Sequence, residues 1–179
     1  MSKSFTLEGF KNLKQTGSLF RSSKGLANKL THTVDDSKNM VIVELGAGDG
    51  IITRRILRKM SPSSELHAFE INRSFKKHLD KIDDNRLKTY FSCVSDLIYK
   101  FKMNQVDCVI SCLPLANLDK NFKNQLINDI KHVLKPGGDL IQYQYSINDM
   151  RFFKHNFSSM NTRLFIRNIP PAFIYSCKG

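Results

Sequence analysis

The segment VIVELGAGDG at residues 41–50 restricts the possible folds more than any other part of the chain. Its apolar first half predicts a buried strand, and the pattern after Gly50 predicts a helix. Glycines between a strand and a helix let the backbone approach a ligand closely, and a helix start offers unpaired N–H groups. The segment therefore predicts a nucleotide-type site. It is not the dinucleotide fingerprint G-x-G-x-x-G, because Ile51 stands where that pattern needs its last glycine.

Strands and helices are predicted to alternate from residue 40 onward, which is typical of a mostly parallel, doubly wound sheet. Two more β-like runs, at 162–168 and 172–176, are joined through Pro170 and Pro171 so tightly that they must be antiparallel. The Lys-Pro-Gly-Gly segment at 135–138 is expected to close the last helix. The other predicted strands are 40–45, 66–70, 87–92, 106–112 and 139–145, and the predicted helices are 50–60, 72–81, a short one after Asp96, and 118–134.

The length of 179 residues, 41% of them apolar, suits one domain. No apolar run is long enough to cross a bilayer and no secretory signal is recognisable, so a cytoplasmic protein is expected. We expect a basic helical segment at 1–32 and one α/β domain at 33–179. Because the cysteines form no CxxC pair and no His/Cys pairs have ligand spacing, no metal site is predicted. The cysteines are Cys93, Cys108, Cys112 and Cys177.

The chain is strongly basic, with 28 Lys and Arg against 16 Asp and Glu and a net charge of +12. Such a charge attracts the phosphates of nucleic acid or of anionic lipid, and the charge alone does not choose between them. The excess begins early, because Glu8 is the only acid among residues 1–30. The basic residues in that range are Lys3, Lys11, Lys14, Arg21, Lys24 and Lys29.

The E-x-G-x-G-x-G form of the glycine segment resembles motif I of class I S-adenosylmethionine-dependent methyltransferases. Glu70, about twenty residues further on, has the position of a ribose-binding carboxylate. Ser95-Asp96 looks like the acidic position of this family on the adenine side, and Glu44 would orient the methionine end. The resemblance implies S-adenosylmethionine as cofactor and a Rossmann-like, mostly parallel seven-stranded sheet with a C-terminal antiparallel hairpin. The implied cofactor residues are Glu44, Gly46, Ala47, Gly48, Glu70, Ile71, Asp96, Leu97, Ser111 and Cys112.

The loop after the fourth predicted strand is where this family places acceptor chemistry, and here it begins Ser111-Cys-Leu-Pro-Leu115. Adenine and other amino methyltransferases carry an Asn/Asp-Pro-Pro-Tyr or Asn-Leu-Pro-Tyr signature in this loop. This chain lacks both the amide that grips an exocyclic amine and the aromatic ring that stacks on a flipped base. Nucleic acid is therefore not the expected acceptor. Leu113 and Pro114 are candidate substrate contacts.

Several segments together resemble the bacterial phospholipid N-methyltransferase family, over about residues 10–176. The resemblance implies that phosphatidylethanolamine is methylated toward phosphatidylcholine by an enzyme working at the inner face of the membrane. The matching segments are Gly17-Ser18 and Ser22-Ser23 before Leu26-Ala27, Glu44-Leu-Gly-Ala-Gly48, Ser111-Cys-Leu-Pro-Leu115, Leu134-Lys-Pro-Gly-Gly138 with Gln142 and Tyr145, and Arg167-Asn-Ile-Pro-Pro-Ala172.

The resemblance also gives the basic start of the chain a role. Phe10, Leu13, Gly17 and Phe20 recur at helical spacing beside basic residues, an arrangement suited to an anionic membrane surface. The alternative is a helix whose apolar face covers the cofactor site. A monomer is expected, because no self-complementary apolar patch is evident.

Tyr143 and Tyr145 are the candidate catalytic residues, because an aromatic face near the end of the fifth predicted strand would hold a cationic head group. Arg167 is a candidate contact for a lipid phosphate. The remaining alternatives are a ribosomal RNA adenine dimethyltransferase and a non-catalytic, cofactor-binding module on the membrane.

Overall fold

Seven strands form one sheet in the computed structural model, which describes residues 24–168 and 170–179. The strands are β1 (Val41–Leu45), β2 (Glu65–Phe69), β3 (Leu87–Tyr90), β4 (Val106–Ser111), β5 (Leu134–Gln144), β6 (Ser159–Phe165) and β7 (Ala172–Lys178). The helices are α1 (Lys24–Leu30), α2 (Ile51–Leu57), α3 (Lys76–Leu79), α4 (Leu97–Lys100), α5 (Lys120–Val133) and α6 (Met150–Asn156), with 3₁₀ turns at Arg73–Phe75, Val94–Asp96 and Leu115–Asn117.

The strand order is β3-β2-β1-β4-β5-β7-β6. The first five strands pair in parallel, β7 runs antiparallel to β5, and β6 runs antiparallel to β7. The predicted α/β fold with a C-terminal antiparallel hairpin is thus confirmed. Because the chain leaves β1 toward β2 on one side and returns to β4 on the other, a crevice opens where β1 and β4 end.

Helices cover both faces of the sheet, as strands that are apolar on both faces require. On one face, α1 and α2 pack through Leu26 and Ile56 against Ile42 and other strand residues. On the other face, α4, α5 and α6 pack against the strand side chains that point to that face, such as Val43. The six-residue β4 is buried at five positions and half-buried at Asp107, which explains its nearly continuous apolar sequence.

Three predictions of local structure were wrong in detail. The Lys-Pro-Gly-Gly segment does not close a helix, because α5 ends at Val133 and Leu134 already pairs with Val106. The segment is an irregular part of β5, where the pairing shifts register before Cys108 meets Asp139. The helix predicted at 72–81 divides into a 3₁₀ turn and the single turn α3. Helix α6 was not predicted.

Residues 1–23 hold most of the predicted basic amphipathic segment, including Phe10 and Phe20, and lie outside the described residues. The remainder of that segment begins with α1. Among the described residues, no helix has the length and apolar character needed to span a membrane.

Candidate functional site

The crevice between β1 and β4 brings together residues that are far apart in the sequence. The N–H of Cys112 donates to the carbonyl oxygen of Leu45 at 2.8 Å, which joins the ends of the two strands. A Cβ atom added to Gly46 would lie 3.2 Å from Cδ2 of Leu113 and 3.7 Å from the carbonyl carbon of Cys112. The predicted cofactor residues on β1 and β4 therefore form one site, and Leu113 packs beneath the glycine loop.

The glycine loop has the backbone that its sequence predicts. Gly46, Gly48 and Gly50 have φ values of 81°, 55° and 80°, a region that residues with a side chain rarely adopt. The N–H groups of Gly46 and Ala47 donate to the carbonyl oxygen of Phe69 at 2.9 and 3.1 Å, which ties the loop to β2. A Cβ atom added to Gly48 would meet no atom within 4 Å, so the space beside this residue is open to a ligand.

Glu70 follows β2 and faces the same loop. Its Oε2 accepts the N–H of Gly48 at 2.8 Å, and its Oε1 accepts the N–H of Asn72 at 2.6 Å. Burial raises the pKa of Glu70, and the backbone hydrogen bonds oppose that rise. Each carboxylate oxygen keeps another lone pair for a hydroxyl donor. The amide of Gly48 is thus already used within the protein, so the carboxylate is the group offered to a ligand here.

Glu44 is the most unusual group in the site, because it is a fully buried carboxyl group at the end of β1. Its Oε2 accepts a hydrogen bond from Oγ1 of Thr53 at 2.6 Å, and its Oε1 has no partner among the described residues. Burial, with smaller contributions from Glu70 and Asp49, raises the pKa of Glu44 to about 8. A buried carboxyl group with an unused acceptor atom suits a cationic or hydrogen-bond-donating partner.

The loop after β4 lies close to both carboxyl groups. Burial raises the pKa of the Cys112 thiol well above its usual range, and the charges of Glu44 and Glu70 add to that rise. Gln142 fixes the loop from the neighbouring strand, because its Nε2 donates at 2.8 Å to the carbonyl oxygens of Leu113 and Tyr143. Of the other predicted residues in this region, Ser111 is fully buried and Pro114 is half-buried.

The third corner of the site follows β3. Asp96 lies half-buried in the 3₁₀ turn after this strand. The side chain of Leu97 is completely buried in the core, so only its backbone can face a ligand, and Ile71 is half-buried beside Glu70. Ser92, two residues beyond β3 and not predicted from the sequence, has a buried Oγ with no hydrogen-bond partner among the described residues.

The predicted catalytic tyrosines lie together, whereas Arg167 lies apart from the cofactor residues. The rings of Tyr143 and Tyr145 are 5.7 Å apart and nearly perpendicular. Tyr143 packs on the core beneath α1, and Tyr145 is 38% exposed just beyond β5. Arg167 lines a cleft of about 580 Å³ with Gly25, Asn28, Lys29, His32, Lys59 and Phe165, and none of the predicted cofactor residues lines it.

Residues 42–138, from the glycine motif through β4 to the start of β5, match a family model described as a methyltransferase domain. The chain belongs to this methyltransferase family. It is an enzyme that uses S-adenosylmethionine as its cofactor, as the motif implied. The arrangement agrees with that conclusion, because an unpartnered buried carboxyl oxygen, an open glycine loop and a second carboxylate converge at the switch point.

Three proteins illustrate what this methyltransferase is similar to. It is 29% identical to the ornithine lipid N-methyltransferase of Singulisphaera acidiphila, over 95% of this chain and 92% of that protein. It is 32% identical to the ubiquinone/menaquinone biosynthesis C-methyltransferase UbiE of Pseudomonas paraeruginosa, but over only 59% of this chain and 41% of that protein. Among solved structures, the 1,6-didemethyltoxoflavin-N1-methyltransferase of Burkholderia thailandensis shares the fold with a TM-score of 0.71 at 11% identity, covering 98% of this chain and 85% of that one.

Proposed function

We propose that this methyltransferase methylates the amino group of a membrane lipid, with phosphatidylethanolamine as the acceptor. The observation that carries lipid N-methylation is the similarity to an ornithine lipid N-methyltransferase over 95% of the chain, whereas phosphatidylethanolamine as the acceptor follows from the family resemblance of the sequence. That similarity extends beyond residues 42–138, the part of the chain that the methyltransferase family model matches. Ornithine lipid is the second candidate acceptor, favoured by the same relative.

The roles proposed for the cofactor site follow from charge and hydrogen bonding. S-adenosylmethionine supplies an electrophilic methyl group on a sulfonium. Glu44 would hold its amino group through the unpartnered Oε1, which gives the buried carboxyl group a cationic partner. Glu70 would accept hydrogen bonds from the ribose hydroxyls. Ser92 and Asp96 would bound the adenine side.

The proposed acceptor site must hold an amine as a neutral nucleophile while excluding water from the reacting atoms. The ammonium group of ethanolamine must first release its proton, and water can reach this part of the proposed site because Tyr145 is 38% exposed. The faces of Tyr143 and Tyr145 would then hold the head group as it becomes a methylated cation. The loop carrying Leu113 and Pro114, fixed by Gln142, would close the other side.

Three expectations about where and in what form the protein acts belong to the same proposal. The basic N-terminal segment would bind the protein to the inner face of an anionic membrane, or would cover the cofactor, and the protein would act as a monomer. Methylation of ribosomal RNA is not favoured, because Ser111-Cys-Leu-Pro-Leu115 provides neither the amide nor the aromatic ring for a flipped base.

The test is methyl transfer with competing acceptors. Purified protein and methyl-labelled S-adenosylmethionine are incubated with ribosomal RNA and with anionic vesicles containing phosphatidylethanolamine or ornithine lipid. Label in the lipid fraction is expected, and the lipid species that carries it identifies the head group. Label in RNA, or in neither fraction, would contradict the proposal.

Tyr145→Phe should retain most of kcat/KM, whereas Tyr145→Ala should lose about threefold to thirtyfold in kcat/KM.

A further inference from the structure

The end of β6 and the turn after it form an exposed surface that the proposed reaction does not use. We call Arg163, Leu164, Ile166 and Arg167 the hairpin surface. Among the described residues, β6 pairs only with β7 and is therefore an edge strand of the sheet. Phe165 pairs with Ala172 and Gln144 pairs with Phe173, so the turn lies at the edge where β5 ends. The hairpin surface and the cofactor site thus share the carboxyl edge of the sheet.

Exposed apolar and cationic side chains alternate along the end of β6 and the turn after it, so that Arg163 and Leu164 lie on opposite faces of the edge strand. Leu164 and Ile166 are 55% and 71% exposed, and Arg163 and Arg167 beside them are also exposed. Ile147, just beyond the end of β5, adds a further 48% exposed apolar side chain at the same end of the sheet. Exposed apolar groups flanked by Lys and Arg are typical of segments that lie in the interface of an anionic bilayer.

The charge around the hairpin surface is of one sign. Residues 150–179 contain Arg151, Lys154, Arg163, Arg167 and Lys178 but no Asp or Glu. Lys178 is paired with Asp139, whereas neither arginine of the hairpin surface has a carboxylate at ion-pair distance among residues 24–168 and 170–179. These arginines are therefore available to anionic lipid head groups.

A cationic cleft continues the surface toward α1. Its volume of about 580 Å³ is bounded by Lys29, His32, Lys59 and Arg167, with the ring of Phe165 on one side. No carboxylate lines it in the described part of the chain. A cleft with several cations and an apolar wall suits a phosphate group attached to an apolar tail.

We propose that the hairpin surface docks on an anionic phospholipid bilayer, with Leu164 and Ile166 inserted at the level of the acyl chains and the cleft holding a lipid phosphate. The inference rests on the proposed function in one respect, because a membrane lipid as acceptor is what makes docking useful. Docking in this orientation turns the carboxyl edge toward the bilayer, so that an acceptor amine reaches the crevice between β1 and β4 without leaving the interface.

The absence of tryptophan from the chain allows a direct test of insertion. Ile166→Trp places a single fluorophore on the hairpin surface, and Met103→Trp places a matched one at a 63% exposed position before β4, at the opposite edge of the sheet. With phosphatidylglycerol vesicles, the emission of the first variant should shift to shorter wavelength and be quenched by brominated acyl chains. The emission of the second should not change.

A charge variant tests the electrostatic part. Arg163→Gln should weaken partitioning onto phosphatidylglycerol vesicles about fivefold, which is the effect of removing one cation near an anionic surface. Lys131→Gln, an equal change at an exposed position near the end of α5, should have no such effect. Equal effects of the two variants would contradict docking through the hairpin, as would an emission of Ile166→Trp that does not shift. A protein that forms dimers through this surface but does not bind vesicles would contradict it as well.

The two proposals fail separately. If vesicle lipid is methylated but Ile166→Trp shows no insertion, the lipid reaction stands and the docking surface lies elsewhere. If Ile166→Trp inserts into anionic vesicles but no lipid acceptor is labelled, the docking surface stands and the proposed acceptor is wrong.

Discussion

Among single residues, Glu44 links the stability of the protein to its cofactor site. A carboxyl group with a pKa of about 8 in the folded protein and an ordinary pKa of 4.5 binds more protons when folded between these values. The free energy of unfolding must therefore fall as pH rises through this range, by at most about 1.4 kcal/mol per pH unit from this group. The site thus carries a stability cost at neutral and higher pH.

Glu44→Gln should remove that cost. We expect the variant to gain stability relative to the parent at about pH 8.5 but not at about pH 5, because only the parent must bury a charge at the higher pH. Thermal unfolding at both pH values measures the difference. The same variant should bind S-adenosylmethionine more weakly, because the neutral amide cannot pair with the amino group. An equal change in Tm at the two pH values would contradict the burial of a titrating carboxyl group.

The residues that the sequence predicted in the site are those marked by a motif or by the end of a strand. Glu44, Gly46, Glu70 and Cys112 meet at one crevice for this reason. Thr53 and Ser92 were not predicted as contributors to the site, because nothing in the local sequence marks them. Gln142 was noted only as part of the family resemblance and without a role, because it acts on the carbonyl of Leu113, which is 29 residues away in the sequence.

At the scale of elements, the loop after β1 combines a left-handed backbone, which glycine adopts without strain, with open space for a ligand. Gly48 has a φ of 55° and Gly137, in the irregular part of β5, has a φ of 74°, and an added Cβ atom would meet nothing within 4 Å at either position. The two glycines therefore form a matched pair in which only Gly48 belongs to the cofactor loop.

Gly48→Ala and Gly137→Ala should each lower the free energy of unfolding by about 1–2 kcal/mol, the cost of a left-handed conformation for an L-residue. Only Gly48→Ala should also weaken S-adenosylmethionine binding, because its methyl group would enter the open space above the loop. Denaturant unfolding and calorimetric titration measure the two effects. Equal cofactor affinity in the two variants would show that the ligand does not approach Gly48.

The strands and the long helix were predictable because their apolar periodicity is strong, as in β4 and α5. Helix α6 was missed because it has only seven residues and one fully buried side chain, Phe153. A helix of this length does not show the repeated apolar spacing that identifies longer helices. The Lys-Pro-Gly-Gly segment was misplaced because Pro and Gly mark a helix end and a strand irregularity equally well.

For the whole molecule, the distribution of charge matters more than its sum. All acidic residues except Glu8 lie in the range from Asp35 to Asp149. Outside that range, every other charged residue is therefore Lys or Arg. Because α1 lies beside the end of β6 in the fold, the described parts of the two basic regions meet at the cationic cleft. Among the described residues, positive charge is therefore concentrated around this cleft.

Binding to anionic vesicles should accordingly fall as salt is raised, because the Debye length shrinks from about 8 Å at physiological ionic strength to about 3 Å at 1 M. Co-sedimentation with phosphatidylglycerol vesicles over a salt series measures this, with phosphatidylcholine vesicles as the uncharged control. Binding that does not respond to salt would mean that charge does not drive the association.

Removal of residues 1–16 should weaken vesicle binding more than cofactor binding, and the reverse order would favour a lid over the cofactor.

The central claim is that the crevice between β1 and β4 holds S-adenosylmethionine through its carboxylates. The most direct test is calorimetric titration of S-adenosylhomocysteine into the parent, Glu70→Gln and Glu65→Gln, the last being a 49% exposed glutamate at the opposite end of the same strand. We predict that Glu70→Gln binds roughly tenfold to a hundredfold more weakly, the loss of charge-assisted hydrogen bonds, while Glu65→Gln matches the parent. Unchanged affinity in a folded Glu70→Gln variant would contradict the account.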